Sequence, residues 1–172
     1  MENIAFIGLG IMGVPMCLNL LKAGYPVNTY TRSHTHSSIP EAGAHLCDSP
    51  RAAAEKADII ILIVNDTPNV EQVLFGENGV IEANLQGKVI VDMSTISPVA
   101  TKTFAQRIQA AGADYLDAPV SGGDVGAQAG TLSIMVGGSE SAFQRVLPLF
   151  QVMGKNITHV GDVGAGQITK MA

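Results

Sequence analysis

Charge is scarce in these 172 residues: only 15% are Asp, Glu, Lys or Arg, and the ten Lys and Arg form no basic cluster. Nucleic-acid backbones demand concentrated cations, so a net charge of −5 without such a cluster argues against that partner. Long apolar runs are missing as well. The longest, Ile59–Val64, is strand length, well short of the roughly 20 residues that cross a bilayer, so no membrane partner is expected. Cysteine is nearly absent. Cys17 and Cys47 read as buried thiols of a reducing compartment and not as a bridge. Glu2 and Asn3 stand where a signal peptide would carry its basic stretch, and a cytoplasmic location follows as the expectation. The four histidines are scattered, so no metal site is expected. No repeat, low-complexity tract or long linker divides the chain.

What remains is 47% hydrophobic and suits one domain, large enough to bury roughly 68–70% of its unfolded surface. A short apolar strand, Ile4–Ile7, runs into a turn and then a helix from Met12 to about Ala23, closed by Gly24. Strands follow at Val27–Tyr30, Ala44–Leu46, Ile59–Val64, Val89–Asp92, Tyr115–Ala118, Leu132–Val136 and near Asn156–Val160. Between them lie helices at Pro50–Lys56, Thr67–Phe75, Pro98–Ala111 and Glu140–Met153. Alternation of this kind, with unbroken apolar strands, predicts an α/β fold: a doubly wound, mostly parallel sheet with helices on both faces. Ligands of such sheets sit at the carboxyl ends of strands. That directs attention to the loops Gly8–Gly13, Val64–Pro68, Asp92–Pro98 and Pro119–Gly126.

The first of these loops is Gly8-Leu9-Gly10-Ile11-Met12-Gly13, a strand-to-helix turn with the spacing of a dinucleotide site. Gly8 permits the sharp turn, Gly10 admits a pyrophosphate close to the backbone, and Gly13 lets helix and strand pack closely. The helix amino terminus then offers free N–H groups and a positive dipole end to the anion. NAD enzymes usually place an acidic residue after the second strand for the ribose diol. No Asp or Glu occurs between Glu2 and Glu41; the strand ends instead in Thr31-Arg32-Ser33-His34-Thr35. A guanidinium and hydroxyls there suit a 2′-phosphate, so NADP is expected over NAD.

Four segments in order, Gly8–Gly13, Asp92-Met93-Ser94-Thr95, Asp117-Ala118-Pro119-Val120-Ser121-Gly122-Gly123 and Gly164-Ala165-Gly166-Gln167-Ile168-Thr169-Lys170, resemble the β-hydroxyacid dehydrogenase family. That family includes 3-hydroxyisobutyrate dehydrogenases and tartronate semialdehyde (2-hydroxy-3-oxopropionate) reductases. The stretch Gly123–Gly138, with Phe75–Gly79 upstream, is most similar to the reductase branch. The resemblance implies an NADP-binding Rossmann-like domain over residues 1–163, with 164–172 beginning an interdomain helix that a helical domain would continue.

By the same resemblance, Gly8, Leu9, Gly10, Ile11, Met12, Gly13 and Arg32 hold the cofactor. Val64 and Asn65, where the family often has Leu-Pro, touch it through the backbone, and Thr95 lies by the nicotinamide ribose. Ser121, Gly122 and Gly123 grip a substrate carboxylate, with glycine at 122 and 123 because side chains would obstruct it. Lys170 is the general acid or base, a task for which an amine suits and a guanidinium does not. The activity implied is hydride transfer between NADP and a small 3-hydroxy acid or aldehyde acid, in a protein that is homo-oligomeric at full length. Two rivals stay open: another substrate, such as succinic semialdehyde, glyoxylate or a sulfonated aldehyde, and a non-catalytic dinucleotide-binding fragment. Lys170 stands two residues from the last residue given, so a frayed, untethered lysine and an inactive isolated chain are expected.

Overall fold

A computed structural model describes all residues, 1–172. The first strand, β1 (Ile4–Ile7), is buried along its whole length and delivers the chain into α1 (Gly13–Lys22). Then come β2 (Val27–Tyr30), α2 (Ser38–Glu41), β3 (His45–Leu46), α3 (Pro50–Glu55), β4 (Ile59–Leu62) and α4 (Thr67–Phe75). The chain continues through β5 (Val89–Asp92), α5 (Pro98–Ala110), β6 (Asp114–Asp117), β7 (Val120–Ser121), α6 (Gly123–Ala129) and β8 (Leu132–Gly137). It finishes with α7 (Glu140–Met153), β9 (Gly154–Gly161) and α8 (Ala165–Met171).

Helices start where the local chemistry specifies. Ser49, Asp66 and Ser97 each accept a hydrogen bond from the backbone three residues on, and a proline follows within the first turn of α3, α4 and α5. The capping oxygen satisfies a free helical N–H, and proline there has no N–H to leave unpaired. Ser139 caps α7 in the same way.

The sheet runs β3-β2-β1-β4-β5-β6-β8-β7, with β9 on the other side of β8. All pairs from β3 to β6 are parallel. Beyond β6 the sheet turns mixed: β8 is antiparallel to β6 and β7 and parallel to β9. The expected doubly wound, mostly parallel α/β architecture is what the chain adopts.

Alternate residues of the central strands feed two cores. Ile4, Phe6, Ile59, Ile61, Val89 and Val91 pack with α1 and α7, while Ala5, Ile7, Ile60, Leu62 and Ile90 pack beneath α3, α4 and α5. Each fully buried aliphatic side chain contributes about 1.5–3 kcal/mol, which is why β1, β4 and β5 carry no polar residue before their carboxyl ends. The chain winds outward from β1 to β3 and then crosses back to β4, so the order reverses between β1 and β4. A crevice opens at that reversal, at the carboxyl ends of the strands. No helix is long and apolar enough to cross a membrane.

Candidate active site

The crevice begins at the glycine turn. Gly8 has φ +101°, and a Cβ there would run into the Ile63 carbonyl; a Cβ at Gly13 would run into the Gly8 carbonyl. These two glycines therefore serve the close approach of β1, α1 and β4. Gly10 differs, since a Cβ on it would meet nothing within 4 Å: its space is the open crevice. The N–H groups of Leu9, Gly10, Ile11 and Met12 donate to no other backbone group, and α1 has neither a side-chain cap nor an acidic residue in its first turn. Unpaired donors at a helix start, open to a cavity, fit a pyrophosphate.

On one side of this turn lies a cavity of about 340 Å³ lined by Gly8–Gly10, Tyr30–Ser33, Val64, Asn65, Asn69, Gln72 and Glu77 among others. Arg32 is exposed at its rim, and its Nη1 donates to Asn69 Oδ1 at 3.1 Å. Asn69, Gln72 and Glu77 come from α4 and the turn after it; Glu77 lies in the Phe75–Gly79 stretch, with no site role read for it, and no motif pointed to Asn69 or Gln72.

On the other side is a cavity of about 690 Å³ lined by Gly10–Gly13, Val64, Asn65, Met93–Thr95, Val120–Gly123 and Lys170. Both cavities share Gly10, Ile63, Val64 and Asn65, so they are two ends of one crevice. Every candidate residue from the sequence lines one end or the other. Thr95 is exposed to the second cavity, whereas its neighbour Ser94 is buried and its Oγ accepts from Val64 N at 2.9 Å.

Lys170 Nζ donates to Ser121 Oγ at 2.9 Å. A buried polar network lies at the base of the helix that carries Lys170. Asp117, at the end of β6, accepts from Gly164 N at 2.8 Å and from Gln167 N at 3.0 Å, holding the amino terminus of α8. Gln167 is fully buried; its Oε1 accepts from Ile96 N at 3.1 Å and its Nε2 donates to Ser94 O at 2.7 Å. Burial raises the Asp117 carboxyl above its ordinary range, and the backbone donors of Gly164 and Gln167 oppose that rise. Asp92, one strand over, accepts from Ser94 N at 3.0 Å and from the Tyr115 hydroxyl at 3.2 Å. Full burial pushes it up to about 7 despite those donors.

Two expectations need correction. The segment Pro119–Gly126 is not a loop: β7 and the start of α6 occupy most of it, because Val120 and Ser121 pair with β8 and Gly130, in the left-handed region, ends a short helix. At Gly123 a Cβ would meet no protein atom within 4 Å, so the space beside it is open, and its φ of +63° itself favours glycine. At Gly122 φ is +137° and the Leu132 side chain lies 3.1 Å from a built Cβ, so glycine is favoured there by both conformation and packing. Lys170 is not untethered either, because Asp117 and Gln167 tie down the helix that carries it.

Residues 3–161 match the model of the NAD binding domain of 6-phosphogluconate dehydrogenase. The chain belongs to that family. It is 54% identical over 170 residues to the 2-hydroxy-3-oxopropionate reductase of Escherichia coli K12, covering 99% of this chain and 58% of the relative. It is 41% identical over 172 residues to the NAD-dependent L-serine dehydrogenase of Pseudomonas aeruginosa PAO1, covering 99% and 58%. Among solved structures it superposes on the 3-hydroxyisobutyrate dehydrogenase of Mycobacterium tuberculosis with L-serine at a TM-score of 0.93 and 37% identity, covering 99% and 58%. The chain thus spans a little under three fifths of the length of these relatives. The resemblance seen in the four motifs is borne out, and the domain is one that binds a nicotinamide dinucleotide.

Proposed function

We propose that this domain serves an oxidoreductase that prefers NADP and interconverts a short 3-hydroxy acid with its 3-oxo acid. The observation that carries the reading is the Lys170 ammonium 2.9 Å from Ser121 Oγ, beside Gly122 and Gly123 and across the same cavity from the glycine turn. A proton donor, a carboxylate-sized anion site and a dinucleotide crevice meet there. The names of the three relatives share one chemistry, a carboxylate with an oxygen function on carbon 3.

The nicotinamide, when bound, supplies or accepts the hydride. The chain's own residues do the rest. Leu9–Met12 offer backbone donors to the pyrophosphate, Val64, Asn65 and Thr95 border the nicotinamide half, and Arg32 faces the 2′-phosphate. Ser121 and the backbone N–H groups of Gly122 and Gly123 hold the substrate carboxylate. That anchors the carbonyl near Lys170, which protonates its oxygen in reduction and takes the proton back from the alcohol in oxidation. The dinucleotide domain takes in residues 1–163, and 164–172 lead towards a helical domain. The full-length protein is a cytoplasmic homo-oligomer in this reading.

The test is NADPH oxidation by the full-length protein against a panel of two- to four-carbon aldehyde acids and their uncharged analogues. Turnover confined to carboxylate-bearing substrates supports the reading. Turnover of uncharged aldehydes alone would sink it.

A further inference from the structure

We propose that Asp117 and Gln167 are positioning residues for Lys170, fixing its amine over Ser121 by clamping α8 to the carboxyl ends of β6 and β5. This deepens the functional reading above and rests on its assignment of Lys170.

The clamp has two arms. Asp117 spans two N–H groups of the first turn, at Gly164 and Gln167, so its carboxylate sets both the place and the tilt of α8. Gln167 uses both ends of its amide, to Ile96 N and Ser94 O, which binds α8 to the segment bearing Thr95. Residues three apart on a helix share a face. Lys170, three residues after Gln167, therefore inherits that orientation and reaches Ser121 on β7.

The junction around the carboxylate is close-packed and needs glycine. A Cβ at Gly137 would lie 2.6 Å from both Asp117 Oδ1 and Asp162 O, and one at Gly166 would run into Met135 O and lie 2.9 Å from Asp117 Oδ2. Gly164 adopts φ +96°, which turns its N–H onto Oδ1. A helix needing only stability could be capped by a local Ser or Asp, as α3, α4, α5 and α7 are. Here the cap comes from a residue 47 positions away, on the strand that leads into the Ser121 turn. Cap and target thus sit on one continuous segment, Asp117–Ser121, and the amine and the anion site move together.

The test uses the full-length protein with Asp117→Asn, Gln167→Met and Lys170→Ala. Asn at 117 keeps the shape but turns one acceptor into a donor facing an N–H; Met at 167 removes both amide bonds and leaves the cap. Each should lower kcat by about 10–100-fold while the NADPH dissociation constant stays within about twofold. The limb of the pH–rate profile that Lys170→Ala abolishes should shift by about half a pH unit or more in both variants. A crippled Lys170→Ala beside Asp117→Asn and Gln167→Met variants with normal turnover and an unmoved limb would overturn the positioning role alone. Loss of NADPH binding in step with turnover would overturn it in favour of general structural damage. If Asp117→Asn does not fold, Gln167→Met decides by the same readings. Normal turnover in Lys170→Ala would instead remove the reading beneath.

Discussion

The two ends of the crevice are built by opposite means. At the Arg32 end the polar groups are exposed side chains on loops and on α4, joined by a single Arg32–Asn69 hydrogen bond. At the Lys170 end the half-buried lysine and the exposed Ser121 hydroxyl lie over Asp92, Ser94, Asp117 and Gln167, all buried and all hydrogen-bonded. Binding a dinucleotide's adenosine half tolerates some looseness, since affinity accumulates over many contacts. Proton transfer does not, because donor and acceptor must meet within about 2.6–3.2 Å. Substitutions at the first end should therefore change which cofactor binds and leave the fold intact. Those at the second should change chemistry or folding.

The largest effect is expected at Lys170, the amine that the proposed function makes the proton donor. In the full-length protein, Lys170→Ala should lower turnover by about 10²–10⁴, some 3–5 kcal/mol, with NADPH affinity nearly unchanged. Steady-state kinetics beside fluorescence titration of the cofactor separates the two quantities. A variant that loses both equally would show that this end of the crevice holds the cofactor as much as it does chemistry.

Next comes a pH effect on stability that belongs to the buried end alone. Asp92 is held neutral up to about 7 by burial, whereas in the unfolded chain its carboxyl ionises near 4. Between those values the unfolded state binds fewer protons than the folded one, so stability falls as pH rises from about 4 through 7. The loss is on the order of 2–4 kcal/mol. Asp92→Asn, whose amide can still meet Ser94 N and the Tyr115 hydroxyl, should flatten that slope in urea titrations run across the window. An unchanged slope would mean that Asp92 ionises at its ordinary value in the folded protein.

The contrast between the ends also explains what the sequence makes legible. Alternating strands and helices and the glycine turn could be placed because period and turn chemistry are local; Thr95, Ser121 and Lys170 are singled out through the family resemblance of the short motifs that hold them. Asp117 and Gln167 lay inside quoted motifs, yet their task depends on contacts 50 and 73 residues apart that no spacing displays. The available signals were an Asp ending an apolar strand and a Gln three residues before the lysine. Pro119–Gly126 reads as loop because its glycines hide a two-residue strand and the start of a short helix, both held by pairing and packing with β8. The α2 turn at Ser38–Glu41 was missed for a similar reason, its one buried side chain, Ile39, being too little for a periodic pattern.

Cofactor choice should respond at the exposed end without disturbing the rest. Arg32→Asp is expected to weaken NADPH binding by about 1.5–3 kcal/mol, the scale of a charged hydrogen bond, while thermal unfolding stays where it was. Titrating both cofactors onto the parent and the variant checks it. A parent protein that prefers NADH would overturn the assignment of Arg32 to a 2′-phosphate.

The smallest effect sharpens the same point. Asn69 Oδ1 accepts from Arg32 Nη1, while the Asn69 N–H donates to Asp66 Oδ1 at the start of α4. Asn69→Ala removes the first bond and keeps the second, because alanine retains the backbone donor. The helix cap and the fold are thereby spared. What is lost is the orientation of an exposed guanidinium, worth about 0.5–1 kcal/mol, or roughly two- to fivefold in NADPH affinity. NADH has no 2′-phosphate for that guanidinium to meet, so its affinity should not move. Equal weakening of both cofactors would instead place Asn69 against the part they share, and Arg32 would then owe nothing to α4.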